Sequence, residues 1–134
     1  MAGFFDFFGF GSRRRTALQV LDQALDDNEV NRAYMDDGMR FAIYKWAEGL
    51  AGPGGAPDPI LKDAAALISF CVLGKPETAA LWGDAVAAER EARFEAVLAQ
   101  DEDDSFDARI IKLVLTKGNA APDIRARVSL EDAG

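Results

Sequence analysis

The segment from Asp58 to Gly74 constrains the fold more than any other part of this sequence. Asp58 suits a helix N-cap, Pro59 suits the first helical position, and Gly74 suits the left-handed residue that ends a helix. From Ala64 onward the segment is apolar on nearly every side of a helix, which is typical of a helix surrounded by neighbours. The sequence therefore predicts a buried central helix at about residues 59–73.

The same segment sets an expectation about membranes. Its longest apolar stretch, residues 64–73, is half as long as the ~20 residues that a membrane-spanning helix requires. The N-terminus does not fit a secretory signal, because its apolar residues precede its arginines and no small-residue cleavage site follows. We therefore expect a cytoplasmic protein that does not cross a bilayer.

The remaining segments predict further helices. Thr16 and Gln19 form a capping box for a helix at 16–27. Asn31 suits the N-cap of a second helix that runs to about Leu50, with Val30 placed to pack on Met35. Pro76 opens a third at about 76–100, and Ser105 follows an acidic run and precedes a fourth that Gly118 ends. The fold class predicted is an all-α, single-domain bundle of about five or six helices.

The spacing of apolar residues predicts which faces are inward. On the helix at 31–50 we expect Asp36 and Arg40 to pair one turn apart on another face. The inward residues predicted for that helix are Met35, Met39, Ala42, Ile43, Trp46 and Leu50. Those predicted for the helix at 76–100 are Leu81, Trp82, Ala85, Val86, Phe94, Val97 and Leu98.

Two segments do not fit this helical pattern. Residues 51–57 are rich in glycine and proline, so they predict the longest loop of the body. Residues 124–130 alternate apolar and polar side chains, whereas Pro122 suits a helix start, so we expect either a short helix or an extended arm there. The chain then divides into an N-terminal segment, residues 1–15, and a helical domain, residues 16–134.

Charge is distributed unevenly along the chain. The net charge is −8, yet residues 1–21 carry three arginines and one aspartate, so the remaining residues carry −10. An acidic body argues against nucleic-acid binding, because phosphate contacts need clustered Lys and Arg. Solubility is the simpler explanation of this acidity.

The residue inventory excludes several kinds of chemistry. The chain has no histidine, which removes Ser-His-Asp and Cys-His nucleophiles and every His-containing metal site. Its single cysteine, Cys71, lies in the most apolar segment, where we expect a buried, inert thiol. The acidic runs from Asp26 and Asp101 do not fit a calcium loop, and no glycine-rich phosphate loop is present. We expect no enzyme activity, no cofactor, no metal and no small-molecule substrate.

The N-terminal segment is the candidate functional site. Five phenylalanines fall within ten residues, and burying one such side chain contributes ~2 kcal/mol. They could cap the protein's own core, dock on a protein partner or a second copy, or insert reversibly into an anionic membrane surface with the arginines beside it. We expect a non-enzymatic interaction or assembly protein, with the membrane contact as the alternative. The contact residues predicted are Phe4, Phe5, Phe7, Phe8, Phe10, Arg13, Arg14 and Arg15.

Overall fold

A computed structural model describes residues 17–100 and 104–133, and within these residues the chain forms six α-helices and no strand. The first helix, α1, covers residues 17–27, and a 3-10 turn follows it at Arg32–Tyr34. The others are α2 (Asp37–Ala51), α3 (Asp58–Trp82), α4 (Asp84–Leu98), α5 (Phe106–Thr116) and α6 (Pro122–Ala133). The predicted all-α bundle is confirmed.

The helix α3 lies at the centre of the bundle. It contacts α2, α4, α5 and α6, and its first sixteen residues supply much of the core. The rings of Phe70 and Phe94 meet there in a tilted arrangement, with centroids 5.7 Å apart. The predicted central helix is confirmed by its buried side chains, which include Leu61, Ala64, Ala65, Leu67, Ile68, Phe70 and Cys71.

Gly74 interrupts α3 as its sequence position predicts. Its φ of 84° and ψ of 171° are not helical, so α3 consists of two helical pieces with a kink between them. The start of α6 docks on this kink, where the backbone N–H of Lys75 donates to Oδ2 of Asp123 over 3.0 Å. The backbone N–H of Ala121 likewise donates to the carbonyl oxygen of Cys71 over 2.9 Å. The kink therefore gives the C-terminal helix its attachment.

The predicted single helix at 76–100 is wrong, because Gly83 divides it. Gly83 has a φ of 96°, and its N–H donates to the carbonyl oxygen of Ala79 to end one helix before α4 begins. The apolar face of the helix before Gly83 therefore does not continue into the apolar face of α4. Leu81 is 44% exposed and Ala85 is exposed, contrary to prediction, whereas Ala87 is buried.

The predicted start of α2 at Asn31 is also wrong. The helix begins at Asp37, with the Asp36 side chain accepting from the N–H of Met39 over 2.9 Å. Asn31 caps only the 3-10 turn. Val30 and Met35 are both buried, with 2% and 4% of their surface exposed. The residues between them form a connection from one buried side chain to the other and are not part of α2.

The predicted pair of Asp36 and Arg40 does not form. Asp36 instead pairs with Lys117 of α5 at 3.2 Å, and this pairing is added to its capping bond. Arg40 binds both carboxylate oxygens of Asp22 in α1, at 2.8 and 2.6 Å, and also Asp37. These ion pairs connect α2 to α1 and to α5.

A glycine ends α5, and an arginine attaches α6 to α4. Gly118, with a φ of 76°, ends α5, because its N–H donates to Leu115 and that of Asn119 donates to Val114. The segment beyond Pro122 is the helix α6, so the helical alternative is confirmed and the extended arm is wrong. Arg127 of α6 pairs with Glu91 and Glu95 of α4.

Among the described helices, α3 alone is long and apolar enough to cross a membrane by length and composition. Half of its most apolar stretch is buried by the other helices. A core helix of a soluble protein meets the same criteria, and packing against α2, α4, α5 and α6 is the role that α3 has in this fold.

Candidate functional site

The contact residues predicted from the sequence lie outside the described residues. They belong to the N-terminal segment, which precedes Ala17, the first described residue. Their docking role therefore stays a prediction. The set comprises Phe4, Phe5, Phe7, Phe8, Phe10, Arg13, Arg14 and Arg15.

A surface groove lies between the last turns of α2 and the first turn of α5. We call it the α2/α5 groove, and its cavity volume is about 300 Å³. Its apolar lining comes from Trp46 and Leu50 of α2 and Phe106 of α5, and Gly49 of α2 also lines it. Lys45, Arg109 and Asp104 supply its charged lining.

The groove exists because α2 and α5 pack antiparallel. The guanidinium of Arg109 lies 5.7 Å from the centre of the Trp46 ring, and Lys117 pairs with Asp36 at the opposite ends of the same helices. Ser105 fixes the start of α5 by accepting from the N–H of Ala108 over 3.1 Å. These contacts place Phe106 beside Trp46 at the end of α2.

The groove offers exposed apolar surface next to positive charge. Leu50 is 59% exposed, although its spacing predicts an inward position, because the last turn of α2 extends beyond the core. A Cβ at Gly49 would meet nothing within 4 Å, so the surface beside this glycine is open. Lys45 and Arg109 are exposed and form no ion pair with any residue in the described part of the chain.

A second cleft lies between α3, α4 and α5, and its lining includes Arg93 and the two carboxylates that pair with it. Arg93 binds Asp63 through contacts of 2.7 and 3.1 Å and Asp107 through contacts of 2.9 and 3.1 Å. Burial lowers the pKa of Arg93, but the hydrogen bonds and charges of Asp107 and Asp63 outweigh it and leave this pKa raised. Arg93 therefore joins three helices, which is a structural role.

Arg90 connects α4 to the end of α1. Its guanidinium lies 4.6 Å from the centre of the Trp82 ring and donates to Oδ1 of Asn28 over 3.0 Å. Ser69 completes this contact by donating to the carbonyl oxygen of Asn28 over 2.7 Å. Burial lowers the pKa of Arg90. Trp46 and Trp82 thus both lie half-buried, each under an arginine.

The single thiol is buried, as predicted. Cys71 has no exposed surface, and burial raises its pKa to about 12. Smaller effects come from the charge of Arg93, which lowers this pKa, and from the charge of Asp107, which raises it. A thiol in this state is a poor nucleophile at neutral pH. Among the described residues, no group of three or more His, Cys, Asp or Glu side chains is arranged to hold a metal ion.

Sequence reasoning did not find the α2/α5 groove. The apolar spacing identified Trp46 and Leu50 as core residues, and nothing in the sequence relates Lys45 to Arg109. The adjacent Gly49 and the loop after Ala51 are the local signals that the last turn of α2 has few neighbours. No family model, no curated protein and no solved structure matches this chain.

Proposed function

We propose that this chain is a non-enzymatic helical interaction or assembly protein. It docks through its N-terminal segment to a protein partner or to a second copy of itself. The contacts come from Phe4, Phe5, Phe7, Phe8 and Phe10, with Arg13, Arg14 and Arg15 beside them.

The observation that carries this proposal is the concentration of five phenylalanines and three arginines in the N-terminal segment. The cluster of buried apolar side chains runs from Ala17 to Ile124 and takes members from all six helices. Large residues such as Phe70, Phe94 and Leu21 are fully buried in this cluster. Five phenylalanines within ten residues need an apolar surface, and aromatic and arginine side chains are the types that dominate binding energy at protein interfaces.

The charge distribution supports the same proposal. The body is acidic, whereas residues 13–15 are three consecutive arginines. Attraction between the arginines of the N-terminal segment of one copy and the acidic body of another favours their contact and increases the rate of association at low salt.

Contact with a membrane surface is the second candidate. Arginines near an anionic lipid surface contribute ~1 kcal/mol each, and the neighbouring phenylalanines suit the lipid interface. Asp6 and the glycines at positions 3, 9 and 11 oppose insertion and helix formation.

The test compares the native chain with a variant in which the five N-terminal phenylalanines are serine. A second variant, with Arg13, Arg14 and Arg15 changed to serine, is the matched control for charge. Sedimentation velocity over a concentration series measures self-association, affinity capture measures partners, and flotation with anionic vesicles measures lipid binding. Circular dichroism shows that each variant is folded.

Self-association or capture that disappears only when the phenylalanines are replaced supports docking on protein. Flotation that disappears in the same way supports the membrane candidate instead. Equal behaviour of all three proteins in every assay contradicts both.

A further inference from the structure

The chemistry of the α2/α5 groove defines the ligand that fits it. Its lining combines apolar side chains with two cations, Lys45 and Arg109, and one carboxylate, Asp104. Neither cation forms an ion pair with another described residue. Aromatic side chains suit the apolar part of this lining, and a carboxylate suits its two unpaired cations, which outnumber Asp104. The complementary ligand is a short peptide with an acidic residue between aromatic ones.

The chain itself contains such a peptide. Residues 4–8 read Phe-Phe-Asp-Phe-Phe, and Asp6 is the one acidic residue before Ala17. We propose that residues 4–8 bind in the α2/α5 groove of their own chain, with Asp6 facing Lys45 and Arg109. This goes beyond the proposed function, since it names the place that the segment occupies on its own chain when it is not docked on a partner.

The segment is long enough to reach the groove. Ala17 is connected to Trp46 by a path along α1 to Asp22, across the ion pair to Arg40, and along α2. Helical rise and side-chain length limit this path to about 30 Å. Asp6 precedes Ala17 by eleven residues, which span up to ~36 Å when extended.

Attachment to the same chain favours this occupant over a second copy. A short tether gives the segment an effective concentration in the millimolar range at the groove. The same segment of a second copy, at micromolar concentration, competes poorly for the groove with the tethered segment.

Tryptophan fluorescence tests the proposal directly, because Trp46 lines the groove and Trp82 lies under Arg90. In a Trp82→Phe background, changing Phe4, Phe5, Phe7 and Phe8 to serine is expected to increase acrylamide quenching of Trp46 about twofold, because the cover that excludes solvent is lost. The same serine changes in a Trp46→Phe background are the control and leave Trp82 quenching unchanged. Unchanged quenching of Trp46 in a folded variant overturns the proposal.

Charge reversal keeps the proposal testable if the serine variant does not fold. Asp6→Lys and Lys45→Asp should each raise Trp46 quenching, and combining them should return it toward the native value. Lys62→Asp makes the same charge change on an exposed face of α3 and should have no effect. Additive effects of Asp6→Lys and Lys45→Asp, with no recovery, overturn the pairing.

Crosslinking distinguishes the same chain from a second copy. Phe7→Cys and Leu50→Cys are introduced together, while the buried Cys71 remains unreactive. Treatment with a bifunctional maleimide is expected to give an internally linked monomer at micromolar concentration. A linked dimer as the main product assigns the groove to a second copy and overturns the proposal, as does the absence of any link.

Discussion

Gly74 lies directly against the side chain of Asp123, so a Cβ at position 74 would overlap the Oδ1 atom of that carboxylate. It would also lie 3.0 Å from the Cβ of Ala121, and Gly74 has a positive φ of 84°. Gly74→Ala is therefore expected to lower the free energy of unfolding by about 2–4 kcal/mol, measured by urea denaturation.

Gly83→Ala is the matched control for that change. Gly83 has a φ of 96°, but a Cβ there would meet nothing within 4 Å. Only the strain of placing alanine at a positive φ remains, and it is expected to lower the free energy of unfolding by about 1–2 kcal/mol. An equal loss in both variants would show that the contact with Asp123 has no energetic effect.

The ion pair between Asp22 and Arg40 is expected to stabilise the contact of α1 with α2. Asp22 is largely buried and accepts two hydrogen bonds from Arg40, so Asp22→Ala should cost about 2–3 kcal/mol in urea denaturation. Asp37→Ala removes another carboxylate bound to Arg40, but that side chain is 85% exposed, and the expected cost is under ~0.5 kcal/mol. Similar losses would contradict the role assigned to burial.

Glu29 is expected to be replaceable by glycine with a gain in stability. It has a φ of 61° and occupies the left-handed position after α1, where its N–H donates to Asp26 and that of Val30 donates to Leu25. Glu29→Gly should raise the free energy of unfolding by about 0.5–1 kcal/mol. Gly118→Ala makes the opposite change after α5 and should lower it. A loss on Glu29→Gly would show that its side chain compensates for the backbone.

Cys71 is expected to be unreactive until the protein unfolds. With no exposed surface and a pKa raised to about 12 by burial, it should not react with Ellman's reagent at pH 8. Full reaction is expected in guanidinium chloride, which also provides the control for the reagent. Rapid reaction of the folded protein would indicate local opening of α3.

The ion pairs of Glu91 predict one component of acid sensitivity. A hydrogen bond from Lys75 lowers the pKa of Glu91 below its ordinary value of 4.5, and Arg127 lowers it further against the effect of burial. Because the folded state favours the charged form, this stabilisation is present above pH 4.5 and is lost as the pH falls through the folded pKa. Glu91→Gln should therefore be less stable than the native chain at pH 7.

The difference between Glu91→Gln and the native chain should shrink as the pH falls below 4.5, as followed by thermal melts. Glu77→Gln is the control, since Glu77 is exposed and forms no ion pair within the described residues. If the difference in stability between Glu91→Gln and the native chain stayed constant across this pH range, Glu91 would stabilise the fold through packing and not through its charge.

The sequence predicts those parts of the fold that depend on the composition of one segment or on a single helix-ending residue. The burial of α3 follows from its apolar composition, and the kink at Gly74 follows from a glycine placed before a lysine and a proline. The start of α2 could not be predicted in this way. Asn31 and Asp36 are both good N-caps, and the choice between them depends on the tertiary burial of Val30 and Met35.

Gly83 and the α2/α5 groove show the same limit. A glycine inside a helix costs only about 1 kcal/mol, so local propensity does not decide whether the helix continues. The groove depends on the antiparallel packing that places Arg109 over Trp46, a relationship between residues 63 positions apart. The N-terminal segment, by contrast, is evident from its composition alone.

The position of α3 has a consequence for how this protein unfolds. Within the described residues, α2, α4, α5 and α6 each contact α3, so each loses part of its buried surface when α3 melts. Thermal unfolding should then be one cooperative transition, with equal calorimetric and van't Hoff enthalpies. Amide hydrogens in Leu61–Phe70 should exchange with solvent only through global unfolding.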